Sequence, residues 1–268
     1  MSISKRLDEA RKAFDQGSLE ASAAAHEPER IAQAASEQHG GTSHQYIGDM
    51  VYGGLDGIIT TFAVVSGVAG AQLGTPVILI LGLANLLADG FSMATGAYLS
   101  SKSEQEYYER EREREAWEVE HFPEGERAEL YEIYQSQGYS QEDARRLVEI
   151  HTKDHDLWLR AMMVDELGLL EDVRKPHFSA LATLASFVVA GVVPLLVYLL
   201  GLLFPIPQTV AFPTSLALSG LALFGLGASK VLITERNAFK SGIEMLVVGG
   251  LAAGVAYAVG ALLKGIGG

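Results

Sequence analysis

The chain has 268 residues, 49% hydrophobic and 20% charged, with 33 Asp and Glu against 20 Lys and Arg and a formal net charge of -13. It has no cysteine, which excludes a disulfide framework, a thiolate metal site and a cysteine nucleophile. The acidic balance argues against a nucleic-acid partner, whose phosphates demand a basic surface.

Apolar and charged residues are segregated along the chain. Uncharged runs at 57–81 and 178–229 exceed the roughly 20 residues that a helix needs to cross about 30 Å of hydrocarbon. The expected class is therefore an all-α membrane protein. The charge is equally local: Glu104 to Asp172 holds 21 Asp and Glu against 8 Lys and Arg, leaving 12 against 12 elsewhere.

Residues 1–45 are polar and alanine-rich, close on His39-Gly40-Gly41-Thr42, and read as a cytosolic arm, helical or partly disordered. They lack the apolar core and small-residue cleavage site of a secretory signal, so the amino terminus is expected to stay in the mature protein. Five apolar spans follow at about 48–72, 77–101, 178–203, 212–234 and 241–264. The domain reading is thus the arm over 1–45, spans one and two within 46–101, an acidic cytoplasmic insert over 102–176, and spans three to five within 177–268.

Lys and Arg near span ends are retained on the cytoplasmic side. With the amino terminus inside, the arm, the insert and the 235–240 turn hold 18 of the 20 basic residues, and the outer turns at 73–76 and 204–211 hold no charge. Lys230, near the inner end of span four, can snorkel, and Lys264 closes span five. The odd number of spans then puts the carboxy terminus outside.

No Gly or Pro lies between Ala97 and Phe122, so the second span is predicted to run on as a helix past the membrane surface. Val77 to Glu120 is 44 residues, about 66 Å of helix at 1.5 Å each, a stalk that would hold carboxylates at the cytosolic mouth of the spans. The insert reads as three helices: about 102–121, 123–137 after Pro123, and 140–170 after Gly138-Tyr139-Ser140. Ser140 with Asp143 resembles a capping box, and Pro123 suits a first helical turn. Leu147, Ile150, Leu157, Trp158 and Ala161 suit one buried face of the third helix.

Few polar groups lie inside the spans. Asp56, in VYGGLDGIITTF, costs on the order of 2.5–3.5 kcal/mol to insert, and residues at such a cost are usually functional. Met93 falls at similar depth in span two, and Asp89 is one turn deeper on the same face. A carboxylate opposite a thioether suits a borderline divalent ion such as Fe²⁺, whereas Mg²⁺ or Ca²⁺ would want oxygen alone. The plainer alternatives stay open: Met93 as core filler, Asp56 bonded to a neighbouring helix, Asp89 in contact with Asn85 or Ser92.

In the insert, Glu115/Glu118 and Glu126/Glu129 each place two carboxylates on one helical face, and Pro123 lies where the chain can fold back to bring the pairs together. Like charges held that close repel unless a cation or proton sits between them. Met162, Met163 and Glu166 give a third patch at i,i+3 and i,i+4 spacing. The plain reading of any single glutamate is a solvated acidic helix, and Glu109, Glu111 and Glu113, alternating with Arg110, Arg112 and Arg114, read as self-paired surface. Glu118-Val119-Glu120-His121 contains the Glu-x-x-His that di-iron oxidases use twice; His151 and His155 do not supply a second copy, so a ferroxidase is the weaker reading. Walker, Gly-x-Ser-x-Gly and His-Glu-x-x-His motifs are absent from the sequence, and all seven histidines are expected outside the spans.

DGIITTFAVVSGVAGA at 56–71, GLANLLADGFSMATGAYLS at 82–100, GVVPLLVYLL around Pro194 and GIEMLVVGGLAAGVAYAVG at 242–260 resemble the vacuolar iron transporter family. The resemblance covers nearly all of 45–264 and implies a five-span homodimer in the bilayer that exchanges Fe²⁺, and often Mn²⁺, Co²⁺ or Zn²⁺, for protons, moving metal out of the cytosol. It implies no permanently bound cofactor and no enzymatic step. In the family an aspartate and a methionine line the path between subunits, and these look like Asp56 and Met93. The family's cytoplasmic metal-binding domain matches Glu115, Glu118, Glu126, Glu129, Met162, Met163 and Glu166. Gly53, Gly54 and Gly57 would permit the close approach a subunit interface needs. Glu244, at the inner end of span five, is a further proton-coupling candidate beside Asp56. Related chains can carry a ferritin-like domain before the spans; a short arm here implies neither oxidation nor storage of iron. The arm and the long acidic insert look bacterial, which implies the inner (plasma) membrane; in a eukaryote it would be the vacuole. The alternatives are a membrane-anchored iron-binding or ferroxidase module without transport, and a magnesium or calcium channel.

Overall fold

A computed structural model of the protein describes residues 5–35, 46–229 and 237–265. His39–Thr42, the 230–234 end of the expected fourth span with Lys230, and residues 235–236 of the turn expected to be cytoplasmic lie outside the described residues. Among the described residues the secondary structure is entirely helical. In the arm, α1 (Lys5–Asp15) packs on α2 (Leu19–Ala25), which Ser18 caps, and α3 (Pro28–Ala35) is tied back by an Arg30–Glu9 ion pair of 2.6 Å.

Among the described residues five helices are long and apolar enough to cross a membrane, and the chain is a multi-pass integral membrane protein. They are α4 (Ile47–Gly70), α5 (Thr75–His121), the broken third span Pro176–Leu200, α11 (Gln208–Ser229) and α12 (Ala238–Leu263). The third span consists of α9 (Pro176–Gly191), a 3₁₀ turn at Val193–Leu195 and α10 (Leu196–Leu200). Pro194 cannot donate a backbone hydrogen bond, and hydrocarbon offers no water to satisfy what the break leaves open. The buried Ser215 hydroxyl of α11 supplies the partner, donating to the Pro194 carbonyl at 2.6 Å. His177 falls in the first turn of α9, at the polar end of the helix.

The chain divides into two compact units, one of residues 1–93 with 181–268 and one of residues 94–180. In the first, the neighbours α4 and α5 meet through α9. A Cβ on Gly57 would sit 2.3 Å from the Phe187 carbonyl, one on Gly53 2.6 Å from that of Thr183, and one on Gly90 of α5 3.2 Å from Leu184 and Phe187. α4 also crosses α12 with backbone almost touching, since a Cβ on Gly260 would lie 1.9 Å from the Gly67 carbonyl. Between helices in lipid, where no hydrophobic drive brings them together, such small-residue contact is the main source of cohesion. The glycines around Asp56 therefore serve packing inside the chain: Gly53 and Gly57 are filled by α9, and Gly54 by Leu226 and Ala190.

In the second unit, α5 continues as one helix of 47 residues from Thr75 to His121. It stops at Phe122, and α6 (Pro123–Ser136) starts with proline in its first turn, where the missing N–H costs nothing. Gly138, at φ 99°, makes the reversal, and Ser140 caps α7 (Gln141–His151), accepting from the Asp143 amide at 3.2 Å while its hydroxyl donates to Asp143 Oδ2 at 2.6 Å. The expected third insert helix over 140–170 is broken. Asp154 accepts from the Leu157 amide at 2.9 Å and opens a new helix, α8 (His155–Ala161), which passes into a π turn at Met162–Glu166. The break rotates the expected face apart: Ile150 and Leu157 are exposed, while Ala144, Val148, Trp158, Ala161 and Met162 form the core with Val119, Leu130 and Tyr134.

Candidate functional site

The acidic unit places its glutamates from three elements. Glu115 and Glu118 come from the end of α5, Glu126 and Glu129 from the first turns of α6, and Glu166 from the π turn. Because α6 reverses at Phe122–Pro123, carboxylate oxygens of Glu115, Glu118 and Glu126 come within 4.8 Å of one another, and so do those of Glu126, Glu129 and Glu166. The two triads share Glu126. Single-turn π segments recur at functional sites, and this one buries Met162 and Met163 while leaving Glu166 exposed. Met162 belongs to the apolar core cluster, whereas Met163 is buried outside it.

Burial is what makes these carboxylates unusual. Glu115 is fully buried and neither of its oxygens accepts a hydrogen bond among the described residues; Glu126 is 5% exposed with Oε2 also unpartnered. Burial first, then the nearby Glu166 carboxylate, pushes Glu115 up to about 7 despite the opposing charge of Arg114. Burial and then Glu115 push Glu126 up to about 7. Glu166, though its side chain is exposed, is raised by partial desolvation of its carboxyl and then by Glu129. Two groups that hold protons near neutrality beside open oxygen ligands can trade those protons for a divalent cation.

Arg114, expected as self-paired surface, is exposed and pairs along its own helix, and it also reaches the buried Glu115. Its Nε lies 3.0 Å from Glu111 Oε2, Nη2 lies 2.5 Å from Glu115 Oε1, and Nη1 bonds to Glu118. The pairing along the helix is legible in the i,i+3 and i,i+4 spacing of Glu111, Arg114 and Glu118. Tyr134, which the sequence reading missed, donates its buried hydroxyl to Asp165 Oδ2 at 3.3 Å and so links α6 to the π turn. His121, the histidine of the Glu-x-x-His, donates from Nδ1 to the Trp117 carbonyl at 2.8 Å and stacks on the Trp117 ring. Among the described residues no histidine joins either triad.

Further along the same unit, Asp172 and Arg174 pair at 2.9 Å, Arg174 reaches Glu104 at 3.1 Å, and Gln105 Nε2 donates to the Asp172 and Arg174 carbonyls. Burial works against the Asp172 carboxylate, but the Arg174 hydrogen bonds outweigh it and hold Asp172 below its usual range.

In the membrane unit, Asp56 is half-buried on α4, and its backbone carbonyl accepts from Thr60 Oγ1 at 2.9 Å. Asp89 of α5 is close enough to act on Asp56 through space. The reason is local: Gly57 and Gly90, each next in sequence to one of these acids, both pack on Phe187. The alternative contact of Asp89 with Asn85 is not made, since the buried Asn85 amide nitrogen has no hydrogen-bond partner among the described residues. Met93 is half-buried against the apolar cluster that contains Leu86 and Phe187. Glu244 stands exposed on α12.

Comparison with known proteins places this arrangement. A profile of the VIT family matches residues 47–261. The vacuolar iron transporter of Toxoplasma gondii is 39% identical across 96% of this chain and 88% of its own length. That of Plasmodium falciparum is 32% identical across 98% of each, and vacuolar iron transporter 1 of Tulipa gesneriana is 34% identical across 89% of this chain and 95% of its own. A match of this length, spanning all five membrane helices and the glutamates between them, means that the chain belongs to the VIT family.

Proposed function

We propose that the protein is a secondary transporter that moves Fe²⁺ out of the cytosol in exchange for protons, and that it accepts Mn²⁺, Co²⁺ or Zn²⁺ as well. The observation that carries this is the pair of carboxylate triads sharing Glu126, with Glu115 and Glu126 buried and holding open oxygens. The names of its relatives, iron transporters in protozoa and plants, support iron as the cargo.

In this reading the arm and the acidic unit face the cytosol and the carboxy terminus lies outside, as the distribution of Lys and Arg favours. Glu115, Glu118, Glu126, Glu129 and Glu166, with Met163 and Met162 behind them, collect the ion and release protons as they load. Asp56 and Met93 then pass it through a path shared by two protomers of a homodimer. Asp89 acts as the charged neighbour of Asp56, and Glu244 as a second proton carrier. No group stays bound between cycles, and no bond is made or broken. The polar arm and long acidic insert favour the plasma membrane of a bacterium, where the same orientation means efflux; in a eukaryotic cell it means filling of the vacuole.

The test is flux. Proteoliposomes with an imposed proton gradient should take up Fe²⁺ at a rate that follows the gradient and should pass little Mg²⁺. Metal binding without flux would leave a membrane-anchored metal buffer instead.

A further inference from the structure

Arg114 sits on the acids that the proposed function assigns to metal, and the inference that follows rests on that reading. The Arg114 side chain is 42% exposed, while the Glu115 side chain it touches is 1% exposed, so Arg114 lies at the mouth of the site and the Glu115 carboxylate behind it. Nη2 stands 2.5 Å from Glu115 Oε1, yet both Glu115 oxygens remain without a hydrogen bond. The contact balances charge without satisfying the acid. On the other side, Nε is held by Glu111 at 3.0 Å, and Glu111 belongs to neither triad.

We propose that Arg114 and a divalent ion compete for the same carboxylates, and that an entering ion displaces the Arg114 Nη groups from Glu115 and Glu118 while Glu111 retains the side chain. The physical ground is exclusion between like charges. A divalent ion needs direct ligation by the oxygens that the guanidinium neutralises, and two cations at such range in a partly buried site repel strongly. The side chain has somewhere to go: its Nε anchor lies one turn back along α5, and its outer edge already meets water. Metal affinity is then a difference between two cations competing for the same carboxylates, which makes the site easy to unload. A lysine would not substitute fully, because it has no second edge by which Glu111 could hold it.

Anaerobic titration of Fe²⁺ into the full chain in detergent tests this. Arg114→Gln removes the competitor and should tighten binding about fivefold to tenfold, the scale of one partly buried ion pair. Glu111→Gln removes the parking partner and should weaken binding about twofold to fivefold by leaving Arg114 on Glu115 and Glu118. Arg114→Lys should fall between wild type and Arg114→Gln. A merely structural Arg114 predicts unchanged or weaker binding in Arg114→Gln and no effect in Glu111→Gln, and either result at an unchanged melting temperature overturns the proposal. If Arg114→Gln does not fold, the direction of the Glu111→Gln change decides alone. Failure of the wild type to bind Fe²⁺ at all would remove the metal-site reading itself, whereas wild-type binding with the two variants unshifted removes only this inference.

Discussion

Glu115 and Glu126 lie on opposite sides of the break between α5 and α6, and both bury their carboxylates with oxygens within 4.8 Å of each other. Each is pushed up to about 7, from an ordinary 4.5, by burial and then by neighbouring acids. The folded state therefore binds more protons than the unfolded state between about pH 4.5 and 7. The stability this confers is complete below the unfolded value and is lost as pH rises through the folded one. The melting temperature of the metal-free protein is expected to fall from pH 5 to pH 7.5, and added Fe²⁺ or Mn²⁺ should recover it at the upper end, where the acids are free to ligate. A melting temperature flat across this range would remove the proton exchange assigned to these two residues.

Removing the cluster should remove the binding. Replacing Glu115, Glu118, Glu126 and Glu129 with Ala in the full chain is expected to weaken Fe²⁺ binding at least tenfold, the scale that loss of even an outer partner can produce. The same change relieves repulsion among buried acids, so the melting temperature at pH 7.5 should hold or rise. Calorimetry and thermal melting read the two effects separately.

Much of this was legible in the sequence, because its signals are local. Uncharged runs marked the spans, Pro123 the restart of a helix, and Ser140 with Asp143 a cap. The absence of Gly and Pro after Ala97 predicted the helix that runs to His121. What escaped depends on neighbours distant in sequence or on small competing bonds. Asp154 caps a new helix within what reads as continuous periodicity. Gly53 and Gly57 are open to any close partner, and only the fold reveals that α9 takes them. Arg114 lies in a Glu-Arg alternation that looks like any solvated helix, and the burial of the Glu115 it touches cannot be read from that alternation.

The packing of α4 on α12 allows a sharper test of the membrane unit. A Cβ at Gly260 would lie 1.9 Å from the Gly67 carbonyl, a backbone atom that cannot move alone, whereas one at Gly254 meets nothing within 4 Å. Gly260→Ala should destabilise by on the order of 3 kcal/mol, and Gly254→Ala should be silent. Thermal melting in detergent compares them directly.

Met93→Leu addresses cargo chemistry. Met93 is half-buried against the cluster containing Leu86 and Phe187, and a Met-to-Leu exchange in such packing usually costs less than about 1.5 kcal/mol, so the fold should survive. Loss of the thioether should nevertheless cut Fe²⁺ flux severalfold, because sulfur favours borderline ions over hard ones. Unchanged Fe²⁺ flux would mean that Met93 only fills space.

Asp56→Asn gives the most direct test of transport. The asparagine keeps the shape beside Gly57 and Phe187 but can neither release a proton nor balance a divalent charge. In proteoliposomes with an imposed proton gradient, the wild type should accumulate Fe²⁺ in proportion to the gradient, and Asp56→Asn should lose that uptake while keeping its melting temperature and its Fe²⁺ binding. Near-normal, gradient-driven uptake by the variant would contradict the account.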